Sequence, residues 1–167
     1  MSEITIRRLG PEDAADFRAI RLRGLRDHPD AFSSTAEAWD LPLEAFAERI
    51  RQAHVIGAFD GARIIGTCML SSHLDPGEKV RHKVDLWSVY LVPEARGTGA
   101  ARRMLAFAIA EAKRLGYDWL KLQVGEHNPA ARKLYSSLGF VEYGREEDYL
   151  RLPDGRSVTE LLMQKRL

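Results

Sequence analysis

Between Val84 and Leu115 the chain changes period. Val84 to Val92 is an apolar run closed by Pro93, and Met104, Leu105, Ala108, Ile109, Ala112 and Leu115 then recur at helical spacing until Gly116. The junction reads Arg96-Gly97-Thr98-Gly99-Ala100-Ala101. Glycines at this point let successive backbone N–H groups turn toward one spot, at the helix end where the dipole is positive, so the junction suits an anion. It is equally a tight turn with no ligand. Two familiar phosphate loops do not fit. A dinucleotide fingerprint needs a third glycine where Arg102 stands, and a Walker loop needs Gly-Lys-Ser/Thr, which is absent.

The flanking sequence fills out a mixed α/β order. Glu3 to Leu9 alternates as a strand, Gly10-Pro11 stops it, and a helix runs to about Asp27. Residues 28 to 41 read as a loop, followed by a short helix from Leu43 to Arg51. Val55 to Phe59 and Ile64 to Leu70 flank the hairpin signal Asp60-Gly61, and Asp75-Pro76-Gly77 marks a further turn. Trp119 to Val124 is a short buried strand, a helix starts after Asn128, and Pro153-Asp154-Gly155 turns a last hairpin with arms at about 140–152 and 156–165. The order is β-α-α-β-β-β-α-β-α-β-β.

A chain of 167 residues with 45% hydrophobic and 29% charged residues fits one domain, residues 1–167, with its own core. Its net charge of +1 offers no overall attraction to nucleic acid or to an anionic membrane, and no long apolar span interrupts it. Cys68 is the one cysteine, so no internal disulfide forms; a reducing, cytoplasmic setting is expected. The five histidines show no paired ligand spacing, so no metal is expected.

A second element lies one strand-length beyond the glycine loop: Asn128, Ala131, Leu134, Tyr135, Gly139 and Phe140. Together with Arg96, Gly99 and Ala101, in this order and spacing, it resembles the GCN5-related N-acetyltransferase family. That family carries Arg/Gln-x-x-Gly-x-Gly/Ala and, later, Asn-x-x-Ala-x-x-Leu-Tyr-x-x-x-Gly-Phe. The resemblance covers residues 84 to 140 directly. It implies an acyl-CoA N-acyltransferase fold, α/β (α+β), with a mixed, strongly twisted central sheet of about seven strands flanked by about four helices.

The same resemblance implies roles. Acetyl-CoA would be the cosubstrate, its pyrophosphate held by the backbone of Gly97, Thr98, Gly99, Ala100, Ala101 and Arg102, with Arg96, Arg102 and Arg103 adding charge. Val89, Tyr90 and Leu91 would hydrogen-bond the pantetheine arm where the family bulges this strand away from the next, although no internal glycine signals a bulge here. Asn128 would contact pantetheine or substrate; by its own chemistry it is an N-cap for the helix that Pro129 begins. Tyr135 would protonate the departing thiolate, and by position it is equally a packing residue between Leu134 and Leu138. Asp85 matches the glutamate base of the histone-acetylating branch, or is an edge aspartate that attracts a cation. Gln123 stands where the branch that acetylates protein N-termini has its glutamate, and cannot be a base. Glu126 and His127 leave the same strand end as fallback bases. Phe32, Glu37, Trp39 and Asp40 occupy the loop that the family uses as a substrate wall, and an acidic, aromatic rim suits an amine cation; at least one ring is also expected to anchor the loop. Cys68 is expected to be an inert core residue.

The expected function is direct acetyl transfer from acetyl-CoA to a primary amine of a small molecule or protein. The alternatives are a non-catalytic acetyl-CoA sensor and an acyltransferase using another acyl-CoA. No nucleic-acid or membrane partner is expected, and the resemblance admits a homodimer.

Overall fold

The computed structural model describes residues 3–71 and 78–167, and the turn expected at Asp75-Pro76-Gly77 lies outside them. Among the described residues, seven strands make one sheet in the order β1-β2-β3-β4-β5-β7-β6. They are β1 Ile4–Arg8, β2 His54–Asp60, β3 Arg63–Ser71, β4 Lys83–Leu91, β5 Trp119–Gly125, β6 Val141–Arg151 and β7 Ser157–Arg166. Four α-helices accompany it: α1 Ala14–Asp27, α2 Leu43–Gln52, α3 Ala100–Arg114 and α4 Pro129–Ser137. The expected mixed sheet and element order are both present. A 3-10 turn at Glu37–Trp39 interrupts the loop expected over 28–41.

The β4–β5 pairing is parallel, and the other strand pairs are antiparallel. A parallel pair needs a crossover, which α3 supplies. Its apolar stripe of Met104, Leu105, Ala108 and Ala112 is fully buried.

Register sorts side chains between the two faces of the sheet, because residues directly opposite one another on neighbouring strands point the same way. Asp85 is opposite both Ser71 of β3 and Lys121 of β5. Tyr90 is opposite Thr67, and Glu160 of β7 is opposite Gly125 of β5, two steps of two beyond Lys121. All of these therefore share one face. The helix α1 covers that face: Gly24 meets the Tyr90 ring so closely that a Cβ there would lie 2.9 Å from it. The other face carries Ile4, Ile6 and Cys68, and α3 lies on it, where Ile4 and Ile6 line a groove with Arg103, Ala106 and Phe107. The core thus has two layers, one under α1 and α2 and one under α3. No helix among the described residues is long and apolar enough to cross a membrane.

Candidate active site

The two parallel strands separate. Register pairs join β4 to β5 only at Lys83–Trp119, Val84–Leu120 and Asp85–Lys121, although β4 continues to Leu91 and β5 to Gly125. Beyond Asp85 the strands part, and a sheet edge opens inside the sheet. On the β3 side the register slips by one residue between Thr67 and Met69, and Ser88 sits at a φ of 53°, the left-handed region that glycine usually occupies. The strand therefore has its bulge, carried by a serine. Val92 N–H donates to Ile65 O at 2.9 Å, so strand alternation turns the N–H and C=O of Leu91 away from β3 and into the gap. An extended, peptide-like arm can add to such an edge as another strand would.

The glycine loop lies beyond the end of β4, on the open side of the gap. Gly97 and Gly99 have φ of 77° and 84°, and nothing lies within 4 Å of where a Cβ would stand on either. They serve the backbone conformation and leave open space beside it. The Thr98 hydroxyl donates to Ala95 O at 2.6 Å and accepts from Ala100 N at 3.3 Å, fixing the turn. The first intrahelical bond of α3 runs from Arg103 N to Gly99 O, so the amides of Ala101 and Arg102 are first-turn donors with no partner inside the helix. Arg102 donates to Ser137 Oγ at 2.6 Å, tying the start of α3 to the end of α4. Arg96 donates to His28 Nε2 at 2.7 Å.

Asn128 caps α4, its side-chain oxygen accepting from Ala131 N at 3.1 Å. Tyr135 on α4 is buried, its ring edge-on to Phe140 at 5.8 Å between centroids. Burial, with a smaller contribution from nearby Cys68, pushes its phenol well above the usual tyrosine range. It stays protonated across the whole physiological range. Cys68 is fully buried and its thiol is pushed up to about 12 by burial alone, which leaves it unreactive.

The segment after α1 crosses the mouth of the gap. Tyr90 donates from its hydroxyl to Asp27 Oδ2 at 2.8 Å, His28 meets Arg96, and Asp30 Oδ2 lies 3.0 Å from His127 Nε2. Three consecutive connections thus join one short stretch to β4, to the glycine loop and to the β5–α4 turn. Further along, Phe32 and Trp39 face arginines: Arg21 lies 4.7 Å from the Phe32 centroid and 4.5 Å from that of Trp39, and Arg49 lies 4.3 Å from Trp39. The rings expected to receive an amine cation already stack on cations of the chain itself. Glu37 opens the 3-10 turn that carries Trp39.

Several carboxylates are within the region. Asp85 marks the closed end of the gap. Glu126 is 3.2 Å from Arg145, and His127 is held by Asp30. Glu160, for which the sequence carries no local signal, is buried on β7 beside Gly125, at the open end and on the α1 face. Burial, and then the Glu146 carboxylate opposite it, push its carboxyl up to about 7. A glutamate in an alternating strand reads as an outward residue, so nothing local distinguished it.

A family model described as Acetyltransferase (GNAT) family matches residues 18–140. The mycothiol acetyltransferase of Geodermatophilus obscurus is 30% identical over 145 residues, 86% of this chain and 46% of its own length. The chain spans about half the length of the curated relatives it matches. Among solved structures, a ribosomal-protein-alanine N-acetyltransferase from Brucella melitensis superposes with a TM-score of 0.85 at 27% identity, covering 98% of this chain and 99% of that one. A Salmonella typhimurium protein solved with its cofactor acetyl-CoA has the same fold, with a TM-score of 0.81 at 23% identity over 99% and 95% of the two chains.

Proposed function

The chain belongs to the acetyltransferase (GNAT) family, and on that premise we propose that it is an acetyl-CoA-dependent N-acetyltransferase, a single catalytic domain over residues 1–167 working in the cytoplasm. One observation carries this reading: β4, parted from β5 beyond Asp85, runs on to a glycine loop with open space beside Gly97 and Gly99, where the first-turn amides of α3 have no partner inside the helix. A thioester cosubstrate needs both parts, an edge for its amide-bearing arm and an anion site for its pyrophosphate. Gly97, Thr98, Gly99, Ala100, Ala101 and Arg102 take the pyrophosphate with Arg96 beside them, Val89, Tyr90 and Leu91 take the arm, and Asn128 stands at its far side while capping α4.

Transfer is direct. The neutral amine attacks the thioester carbon, and a β4 N–H facing the gap stabilises the oxyanion that forms. The amine proton leaves to a carboxylate on the α1 face, the new C–N bond is kept, and the C–S bond breaks. Tyr135 gives its proton to the sulfur, so CoA departs as the thiol. Asp85, at the closed end of the gap, is one candidate for this base. Glu160 is favoured by one further observation, a buried carboxyl already raised to about 7, where a general base works best near neutral pH. Phe32, Glu37 and Trp39 form the acceptor wall.

The test is CoA release from acetyl-CoA against a library of amines, with product mass recorded, beside thermal shifts with acetyl-CoA alone. A thermal shift without turnover on any amine indicates a sensor. No shift and no turnover defeats the reading. A product mass other than plus acetyl identifies a different acyl donor.

A further inference from the structure

Among the described residues Arg21 is the one buried arginine, and no carboxylate is paired with it. It lies on the inward face of α1, one turn from Phe17 and one turn from Gly24, and is 5% exposed. Its Nε and Nη1 are buried and make no hydrogen bond. Arginines at the surface are treated differently: Arg18 pairs with Asp40, Arg23 with Glu94 and Arg51 with Glu44. Burial, and then the like charge of Arg49, draw the guanidinium down to about 10, still protonated at neutral pH. Leaving such a group desolvated and unpaired is unfavourable, so it calls for a role that packing alone does not supply.

The surroundings say what kind of ligand. Phe32 and Trp39 both stack against the guanidinium, which leaves its N–H edge as the polar approach. An edge of parallel N–H donors matches the two oxygens of a carboxylate. Arg21 shares the α1 face with Gly24, which rests on Tyr90 of the bulged strand, and one helical turn advances about 5.4 Å. A molecule held at Arg21 by one end therefore needs only a short reach to present its other end at the gap. Thr67, opposite Tyr90 on β3, adds a buried hydroxyl with no hydrogen-bond partner among the described residues, on the same face of the sheet.

We infer that Arg21 anchors a carboxylate of the acceptor, so that the amine acetylated belongs to a compact amino acid rather than to a simple amine or polyamine. This inference rests on the acetyltransferase reading and deepens it by naming the substrate class. Phe32 and Trp39 act as the clamp that fixes the plane of the guanidinium, and Arg49 reinforces the positive field.

The experiment compares matched acceptors on the full chain at saturating acetyl-CoA: free amino acids, their carboxamides, and the corresponding decarboxylated amines. The free acids are expected to exceed their amides in kcat/KM by about 10- to 100-fold, the range of a charge-assisted hydrogen-bond pair. In Arg21→Gln that ratio falls to near one, and Arg21→Lys gives an intermediate value. A ratio taken within one protein is independent of how much of the variant is folded. Amides or decarboxylated amines used as well as the acids by the wild type overturn the inference while leaving the acetyltransferase reading intact. Turnover confined to peptide N-termini or lysine side chains does the same, as does an unchanged ratio in Arg21→Gln. Absence of both acetyl-CoA stabilisation and CoA release with every acceptor defeats the two together.

Discussion

Asp85 of β4 and Lys121 of β5 are the last residues at which these two strands remain partners in register. Everything the proposed chemistry requires is arranged about the parting that begins there. The bulge at Ser88 and the glycine loop follow on β4, and Gly125, beside Glu160, ends β5. The gap joins the two faces of the sheet, with Tyr135 and Cys68 on one side and Asp85, Tyr90 and Glu160 on the other.

Acetyl-CoA at a hundredfold excess over its dissociation constant is expected to stabilise the fold by about 2.7 kcal/mol. Gly99→Glu is expected to abolish the shift, since it forces a β-carbon into a φ of 84° and puts a carboxylate at the proposed pyrophosphate site. Paired thermal melts with and without acetyl-CoA give the answer. A Gly99→Glu protein stabilised as strongly as wild type removes the loop from the cofactor site.

Tyr135→Phe keeps the ring against Phe140 and removes only the hydroxyl. Turnover is expected to fall by about 10²- to 10⁴-fold with acetyl-CoA affinity little changed. Because the phenol is raised far above neutrality, no alkaline limb up to about pH 9 should be assigned to it. Steady-state rates beside a melting curve decide the matter, and full activity at normal stability returns Tyr135 to a packing role.

Asp85→Asn and Glu160→Gln separate the two bases. If Glu160 takes the proton, the acidic limb of the wild-type profile lies near pH 7 and disappears only in Glu160→Gln. The stability consequence has a definite sign. A carboxyl whose folded value is raised binds more protons folded than unfolded between about pH 4.5 and pH 7, so its contribution is full below that window and is lost as pH rises through it. Glu160→Gln is therefore expected to melt higher than wild type at pH 8, with no such gain at pH 4.5. Melts at the two pH values check this independently of activity.

Gly24→Val tests the seat of Tyr90. The added side chain meets the ring at contact distances already below 3 Å for a Cβ alone, so overpacking is expected to cost about 1 to 3 kcal/mol and to move β4 at the bulge. Asn128→Ala, by contrast, is expected to cost about 0.5 to 2 kcal/mol through loss of its cap to Ala131. Chemical denaturation of the two variants measures both.

The parts legible in the sequence were those with local causes. Helical spacing located α3, Gly97 and Gly99 located its loop, and Pro129 after Asn128 located α4 with its cap. The remainder depends on partners distant in sequence. The bulge at Ser88 exists because of register against β3, and a serine at positive φ carries no glycine to mark it. Glu160 is buried by its place between β5 and β6, which a period of two cannot reveal. Arg21 kept the helical spacing of Phe17 and Gly24, yet an arginine in a helix ordinarily lies at the surface. The acidic and aromatic loop read as a rim for a cation because the guanidinium that meets Phe32 and Trp39 comes from another element.

Thr67 and Cys68 are consecutive, yet they look out of opposite sides of the same strand. On the proposed chemistry this puts the two proton transfers on opposite faces of the sheet. A protonated amine sheds two in becoming an amide, both on the side of Thr67, while the sulfur collects one on the side of Cys68. The group that supplies the sulfur is not the group that drains the nitrogen, so solvent resets each separately. One net acid equivalent is left behind per turnover, and weakly buffered solution should sour at the rate at which CoA appears.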